Sequence, residues 1–387
     1  MSPRILVGLP SFNEADAIAI VTRDVDEALA TMPFQVSAVL VNADNSSTDG
    51  TVDAFMATPT RYPKHAIATP HSGGKGRNWR AVFELLRDKE FDVALMVDTD
   101  LGTVPASWIH ALATAVVSRG SDFVFPLRPA TWNGGDLTYH LAYPALAGAF
   151  GGDLREPLCG EIAISRSGAE RVLDQDWTAS DFRFGIDALV ASVALATGSW
   201  RTVALREQRR NKLRSFTPQQ GTDYRMGAKF AEVAATVRRR CRIRLYEPMP
   251  ESFVPCTEAA PTGIGLPVPH DDPDITRLAE ATTGRLIEGL DAGAIDALPQ
   301  TIARPLSEHI ASGGCRQGLP WPVWRDVLLS WIKHKDDETI PIELLETLFL
   351  NRVVGHHTEI RGTADWYDTV RQQTLDFFAH RASLWGG

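Results

Sequence analysis

Cysteine is scarce in this 387-residue chain: Cys159, Cys241, Cys256 and Cys315 are scattered, with no Cys-x-x-Cys pair among them. That spacing excludes a zinc ribbon and a dense disulfide framework, and reads as the reduced thiols of a cytoplasmic protein. Long apolar runs are missing as well. The stretch Leu141 to Phe150 is too short to span a bilayer and is broken by Pro144, and the chain enters Ile5-Leu6-Val7-Gly8-Leu9-Pro10 without an apolar signal region, so neither a signal peptide nor a membrane anchor is expected. There is no excess of positive charge: 39 Lys and Arg against 48 Asp and Glu give a formal net charge of -9, which disfavours nucleic acid or an anionic membrane as partner. The local run Arg238 to Arg244 goes against this balance, but helical spacing spreads its arginines around the cylinder. Ten histidines form no ligand constellation; His356 and His357 are adjacent, and His65, His71, His110 and His140 stand alone. No Gly-x-Ser-x-Gly elbow and no internal repeat are found.

What is present is the pattern of an α/β protein. Short apolar runs at Ile5 to Leu9, Ala38 to Val41, Val93 to Val97 and Phe123 to Leu127 read as buried strands. Between them, Ala15 to Thr31 and Arg77 to Lys89 carry apolar residues at three- and four-residue steps, as amphipathic helices do. The alternation predicts a mostly parallel sheet covered on both faces by helices. Seven prolines between Pro248 and Pro273 mark an extended connection. Beyond it, Ile275 to Leu290, Trp324 to Lys333, Pro341 to Asn351 and Trp366 to Ala379 read as helices of a helical C-terminal region. The expected division is a catalytic domain at 1–247, the proline-rich connection at 248–273 and the helical region at 274–387.

Polar clusters follow strand after strand: Pro10 to Glu14, Asp44 to Asp49, and Asp98-Thr99-Asp100. In a parallel sheet these ends share one rim, where ligands collect. Two carboxylates leaving a buried strand together offer hard oxygen ligands to Mg2+ or Mn2+. Asp44, at a strand end, can accept the N-H of a nucleobase. Gly73-Gly74-Lys75-Gly76 precedes a helix and would let the backbone approach a phosphate, with Lys75 as its counter-charge; it is not a Walker loop, since no Ser or Thr follows the lysine.

Taken in order, Pro10-Ser11-Phe12-Asn13-Glu14, Asp44 to Thr51, Gly74-Lys75-Gly76 and Asp98-Thr99-Asp100 resemble the GT-A glycosyltransferases of the family 2-like group. Downstream, Arg128-Pro129, Gly134-Gly135, Glu156-Pro157-Leu158-Cys159-Gly160-Glu161, Asp181 and Phe184-Gly185-Ile186-Asp187 are similar to the glucosyl-3-phosphoglycerate and mannosylglycerate synthases within it. The resemblance implies a GT-A nucleotide-diphospho-sugar transferase fold and a metal-dependent transfer of a hexose from a UDP- or GDP-sugar to a small soluble hydroxylated acceptor, with retention of anomeric configuration. Pro10, Phe12, Glu14, Asp44, Lys75, Asp98 and Thr99 would then hold the donor. Asp98, Glu161 and Asp187 would stand at the reaction centre, Arg128, Asp136 and Asp181 would meet the acceptor, and Asp100 would ligate Mg2+ or Mn2+. Taken without that likeness, Glu161 reads equally as an ion-pair partner and Asp187 as the solvated edge of a helix.

Two departures from the pattern stand out. The related synthases place a metal-ligating histidine after the counterpart of Asp187; Arg209-Arg210-Asn211-Lys212-Leu213-Arg214 contains none, and Asn211 is the candidate to offer an amide oxygen instead. Where the phosphoglycerate enzymes follow Gly-Gly with a basic residue, Gly134-Gly135 is followed by Asp136. A phosphorylated acceptor is therefore disfavoured, and Asp136 with Trp132 suits hydroxyls or an amine, while Arg128 keeps a small carboxylate such as glycerate in play. A sugar nucleotidyltransferase and a non-catalytic nucleotide-sugar binding module are the alternatives, and a homodimer is compatible with the sequence.

Overall fold

The computed structural model describes residues 2–69, 74–129, 134–207, 209, 226–258, 268–334, 340–363 and 366–385. These fall into two units that interleave along the sequence. The first takes the described residues of Met1–Pro129, Leu154–Thr217 and Pro255–Pro261, and the second those of Ala130–Asp153, Pro218–Val254 and Thr262–Gly387.

The first unit is built on seven strands: β1 (Arg4–Ser11), β2 (Ser37–Asp44), β3 (Lys64–Ala68), β4 (Val93–Met96), β5 (Phe123–Leu127), β6 (Ile162–Ser165) and β7 (Trp200–Ala204). They form one sheet in the order β3-β2-β1-β4-β6-β5-β7. All pairings are parallel except those of β6, which runs antiparallel to both β4 and β5. The mostly parallel sheet is as the alternation predicts; the reversed strand is not legible in it. β3 and β7 also escape the reading, because as edge strands they are exposed or half-buried along much of their length and show no continuous apolar run.

Helices α1 (Ile18–Ala30), α2 (Thr51–Ala57), α3 (Lys75–Asp88) and α4 (Ala106–Arg119) fill the connections, followed after the excursion into the second unit by α6 (Arg166–Leu173) and α7 (Ile186–Thr197). α1 and α4 bury Ile18, Val21, Val25, Trp108, Ile109 and Leu112 against Ile5, Val7, Leu40, Val93 and Leu95 of the central strands. The apolar spacing of α1 thus meets a partner face, which is what stabilises a helix this short.

The second unit is helical among its described residues: a π-helical segment Thr138–Ala142 running into α5 (Tyr143–Phe150), then α8 (Ala228–Arg244), α9 (Pro273–Asp291), α10 (Gln300–Ala311), α11 (Trp321–Lys333), α12 (Ile342–Ile360), α13 (Trp366–His380) and α14 (Ala382–Trp385). Trp324, Phe230, Phe349 and Phe377 are fully buried in it. α12 runs nine residues past the expected Asn351; most of it is buried, so the polar-to-apolar contrast that marks a helix end is weak. Arg352 on this helix is wholly buried, forking onto Glu359 at 2.7 and 2.5 Å and donating to the Leu319 carbonyl at 2.8 Å. Buried beside it, the His140 and His356 rings meet at a tilt of 59° with centroids 4.5 Å apart. No described helix is long and apolar enough to cross a membrane.

Candidate active site

The rim loops that follow β1, β2 and β4 are stitched to one another. Ser11 donates to Asp44 Oδ1 at 2.8 Å, Asn13 N-H to Ser47 Oγ at 2.8 Å, Glu14 N-H to Thr51 Oγ1 at 2.8 Å, and Thr99 Oγ1 to the Pro10 carbonyl at 2.7 Å. Asn13 and Ser46 hold φ of 57° and 59°, a left-handed conformation that this mesh of bonds maintains. Pro10 is buried, Phe12 stands 48 % exposed and Glu14 is half-buried. Asp44 is buried and its carboxylate also receives the Ser47 amide at 2.7 Å and hydroxyl at 2.6 Å. It is therefore a structural anchor of this loop, whatever it accepts from a ligand.

β4 ends at Met96 and turns, so Asp98, buried Thr99 and Asp100 sit just beyond the strand. Reversal of β6 brings a second set of residues to the same place. Met96 lies opposite Ile162, so the residues that precede β6, Gly160 and Glu161, emerge beside those that follow β4. Arg128 follows β5, β6's other neighbour, and Arg209 lies five residues beyond the end of β7. Lys75 opens α3 and Asp187 lies in the first turn of α7. Four carboxylates and three cations thereby share one rim.

Their pairing is tight. Glu161, 1 % exposed, receives Arg128 Nη1 at 2.5 Å and Arg209 Nε at 3.1 Å. Burial alone would raise its pKa, but Arg209 and Arg128 outweigh it and hold the carboxyl at about 2. Arg209 Nη2 also reaches Asp98 Oδ2 at 2.8 Å and Asp100 Oδ1 at 3.5 Å. Lys75 Nζ lies 3.3 Å from Asp98 and 3.0 Å from Asp187, and despite burial these two hold its pKa above the ordinary lysine value. Asp100 goes the other way: burial, reinforced by the charge of Asp98 and opposed by Arg209, pushes it up to about 6. Cys159 is buried with its Sγ 2.8 Å from Arg128 Nη2, and burial pushes its thiol well up, so it is a packing contact rather than a nucleophile.

Two glycines make these contacts sterically feasible. A Cβ on Gly160 would stand 2.5 Å from Asp98 Oδ1 and closer still to Oδ2 and Cγ. A Cβ on Gly76 would meet the backbone of Asp181 and Phe182, 2.7 Å from the Phe182 carbonyl carbon and nearer to the Asp181 oxygen. The same approach takes up two amides of the phosphate cradle expected at the start of α3. The Gly76 and Arg77 amides already donate to the Arg183 and Phe182 carbonyls at 3.1 and 3.0 Å, so those N-H groups are occupied by the chain's own backbone. Lys75 remains at the rim as a charge.

Other expected residues are placed differently. Asp181 is fully buried, and its carboxylate accepts from the Thr178 amide at 2.7 Å and hydroxyl at 2.8 Å, closing a turn. Arg128 is 7 % exposed and committed to Glu161 and Cys159. Asp136 belongs to the second unit, is half-buried, and is pushed up to about 6 by burial. Asn211, Trp132 and Gly73 lie outside the described residues. Sequence reasoning passed over Arg209 in favour of its neighbour Asn211, and missed Gly160 as the residue that seats Asp98; nothing in the local pattern distinguishes either.

The donor set suits a divalent cation in its chemistry. Asp98 and Asp100 present hard carboxylate oxygens side by side, and the Arg209 guanidinium already stands across both as a cation. Among the described residues, no group of three or more His, Cys, Asp or Glu side chains could hold a metal, so protein ligation from these would rest on the pair.

No family model and no curated protein matches the chain. Among solved structures it is similar to glucosyl-3-phosphoglycerate synthase from Mycobacterium tuberculosis in several complexes. With Mn2+, UDP-glucose and phosphoglyceric acid, that structure is 21% identical, covers 62% of this chain and 80% of its own, and gives a TM-score of 0.47. With Mn2+, UDP and glucosyl-3-phosphoglycerate the values are 22%, 62%, 80% and 0.48. With Mg2+ and UDP they are 21%, 62%, 79% and 0.48.

Proposed function

We propose that the chain is a GT-A glycosyltransferase that moves a hexose from a UDP- or GDP-sugar to a small hydroxylated acceptor, using Mg2+ or Mn2+, with retention of configuration. One observation carries this reading: Asp98, Asp100, Glu161 and Asp187 converge with Lys75, Arg128 and Arg209 where the reversed β6 joins the carboxyl end of β4. Strand order reverses between β1 and β4, and open α/β sheets take their ligands beyond the carboxyl ends of the strands at such a point.

In this reading Asp98, fixed by Lys75 and seated on Gly160, meets the donor's ribose and sugar, with Pro10, Phe12, Glu14, Asp44 and Thr99 shaping the nucleoside end. Asp98 and Asp100 would hold the cation, which when bound offsets the charge that grows on the departing nucleoside diphosphate. Lys75 adds a fixed positive charge to the same rim. Retention is taken from the resemblance of the motifs to the two synthases, whereas an inverting enzyme would need a carboxylate able to take a proton from the acceptor. Glu161, held at about 2 between two arginines, is a poor base, and Asp187 is paired with Lys75. In a retaining reaction the leaving phosphate oxygen takes that proton. Arg128 and Asp181 are retained as candidates on the acceptor side, acting through the side chains and turn they fix, and Asp136 is kept as a separate acceptor candidate within the second unit.

The test is incubation with UDP-glucose and GDP-mannose in the presence of Mn2+. Slow donor hydrolysis that is lost in Asp100→Ala supports the transferase. Turnover that requires pyrophosphate would instead indicate a nucleotidyltransferase, and binding with no turnover under any acceptor a binding module.

A further inference from the structure

The proposed function leaves Arg209 without a task of its own, although its guanidinium makes the densest set of contacts at the rim. Nη2 bridges Asp98 Oδ2 at 2.8 Å and Asp100 Oδ1 at 3.5 Å, while Nε and Nη2 lie 3.1 to 3.3 Å from the two oxygens of Glu161. A guanidinium is permanently charged and shaped to fork across carboxylates. It therefore occupies the place between Asp98 and Asp100 that a divalent cation would need.

We propose that Arg209 is a resident counter-cation that competes with the divalent metal for the Asp98–Asp100 pair, so that the free protein binds metal weakly until the donor's diphosphate supplies further ligands. Glu161 makes this exchange feasible. Because Arg209 is anchored there through a second pair of bonds, only the Nη2 contact to Asp98 and Asp100 has to open, and the arginine keeps a carboxylate partner throughout. Lys75 on the far oxygen of Asp98 prevents that carboxylate from following Arg209 away, since Nζ is held in turn by Asp187. The arrangement makes metal occupancy depend on the nucleotide, and it rests on the reading of Asp98 and Asp100 as the cation site.

The experiment is a titration of Mn2+, followed by loss of the free-ion EPR signal, into the full chain without nucleotide. Arg209→Gln removes the competing charge and is expected to bind Mn2+ about tenfold more tightly or better than wild type, since a unit charge within 4 Å is a strong electrostatic competitor even in a partly solvated site. Arg209→Lys keeps a charge and should stay near wild type. Arg209→Met is a second charge-removing variant of similar stem length. The gain should vanish in Arg209→Gln/Asp100→Asn, and Mn2+ should raise the melting temperature of Arg209→Gln more than that of wild type. Unchanged or weaker Mn2+ affinity in both Arg209→Gln and Arg209→Met overturns the proposal, as does a gain that survives Asp100→Asn. Failure of the transferase reading gives a different result: tighter Mn2+ binding in Arg209→Gln, with no effect of UDP or GDP on Mn2+ affinity in any variant.

Discussion

Gly160→Ala is a one-carbon change aimed at the seat of Asp98. The glycine is present for space alone, since its backbone is not in the left-handed region. The added methyl would lie 2.5 Å from Oδ1 and nearer to Oδ2 and Cγ, against an ordinary contact of 3.4 Å or more, so the carboxylate must retreat by more than about 1 Å. It cannot retreat freely, being held by Arg209 at 2.8 Å and Lys75 at 3.3 Å. Overpacking of this kind costs about 1–3 kcal/mol of stability. A displacement of about 1 Å at a reacting group reduces turnover by about 10²-fold, which corresponds to about 2.7 kcal/mol on the barrier. Denaturant unfolding measures the first and donor hydrolysis or transfer the second. In an Asp98→Ala background, where the clashing carboxylate is gone, Gly160→Ala should cost little further stability while turnover stays low; the cycle separates packing from chemistry. Gly160→Ala with wild-type turnover and an unshifted unfolding midpoint would refute the claim that Asp98 is seated on this backbone and acts from there.

Gly76→Ala meets backbone instead of a side chain, at Asp181 and Phe182, so relaxation has to separate α3 from that segment; a loss above about 3 kcal/mol, or failure to fold, is expected from denaturation and expression. In the helical unit, Arg352→Met takes the donor from the Leu319 carbonyl and the only cation from Glu359 among its described hydrogen-bond donors, leaving that carboxylate the Trp321 amide and Gln373, and should lower the unfolding free energy by about 2–4 kcal/mol. His140 and His356 provide a pH signature in the same unit. Burial, then the charge of His356 for His140 and of Arg352 for His356, depresses both pKa values well below 6.5. The neighbouring His357 adds to the effect on His356, whose ring also meets that of Trp366. The unfolded chain therefore takes up protons first. Their contribution is fully present above the unfolded value near 6.5 and falls by up to about 1.4 kcal/mol per histidine for each pH unit below it, until the folded pKa is reached. Denaturation at pH 7.5 and 5.5 should show this loss, and His356→Gln should flatten it.

The buried strands and the rim clusters were readable because burial leaves a compositional trace: β1, β2, β4 and β5 are unbroken apolar runs that end in polar residues. Helices α1 and α3 were equally visible from their spacing. The reversal of β6 was not, since a four-residue apolar run carries no record of direction and its partners are distant in sequence. That gap conceals the central fact about the site. Glu161 precedes its strand, so nothing local says that it joins the carboxylates that follow β4. Arg209 was invisible for a related reason, as its partners Asp98, Asp100 and Glu161 come from two other parts of the chain. Glycines beside a lysine signal backbone approach without saying what approaches, and at Gly76 and Arg77 it is the chain itself.

The single reversed strand also has a consequence for folding. β3-β2-β1-β4 and β5-β7 are two parallel blocks, and β6 is all that hydrogen-bonds one to the other. During synthesis, β5 has no sheet neighbour until β6 has been made, so in the sheet it joins the first four strands through the strand that Gly160 and Glu161 lead into. In native-state hydrogen exchange the amides of β6 should accordingly open at lower free energy than those of β1 and β2. On the proposed function, a nucleotide held at the joint that β6 makes would also clamp the seam between the two blocks.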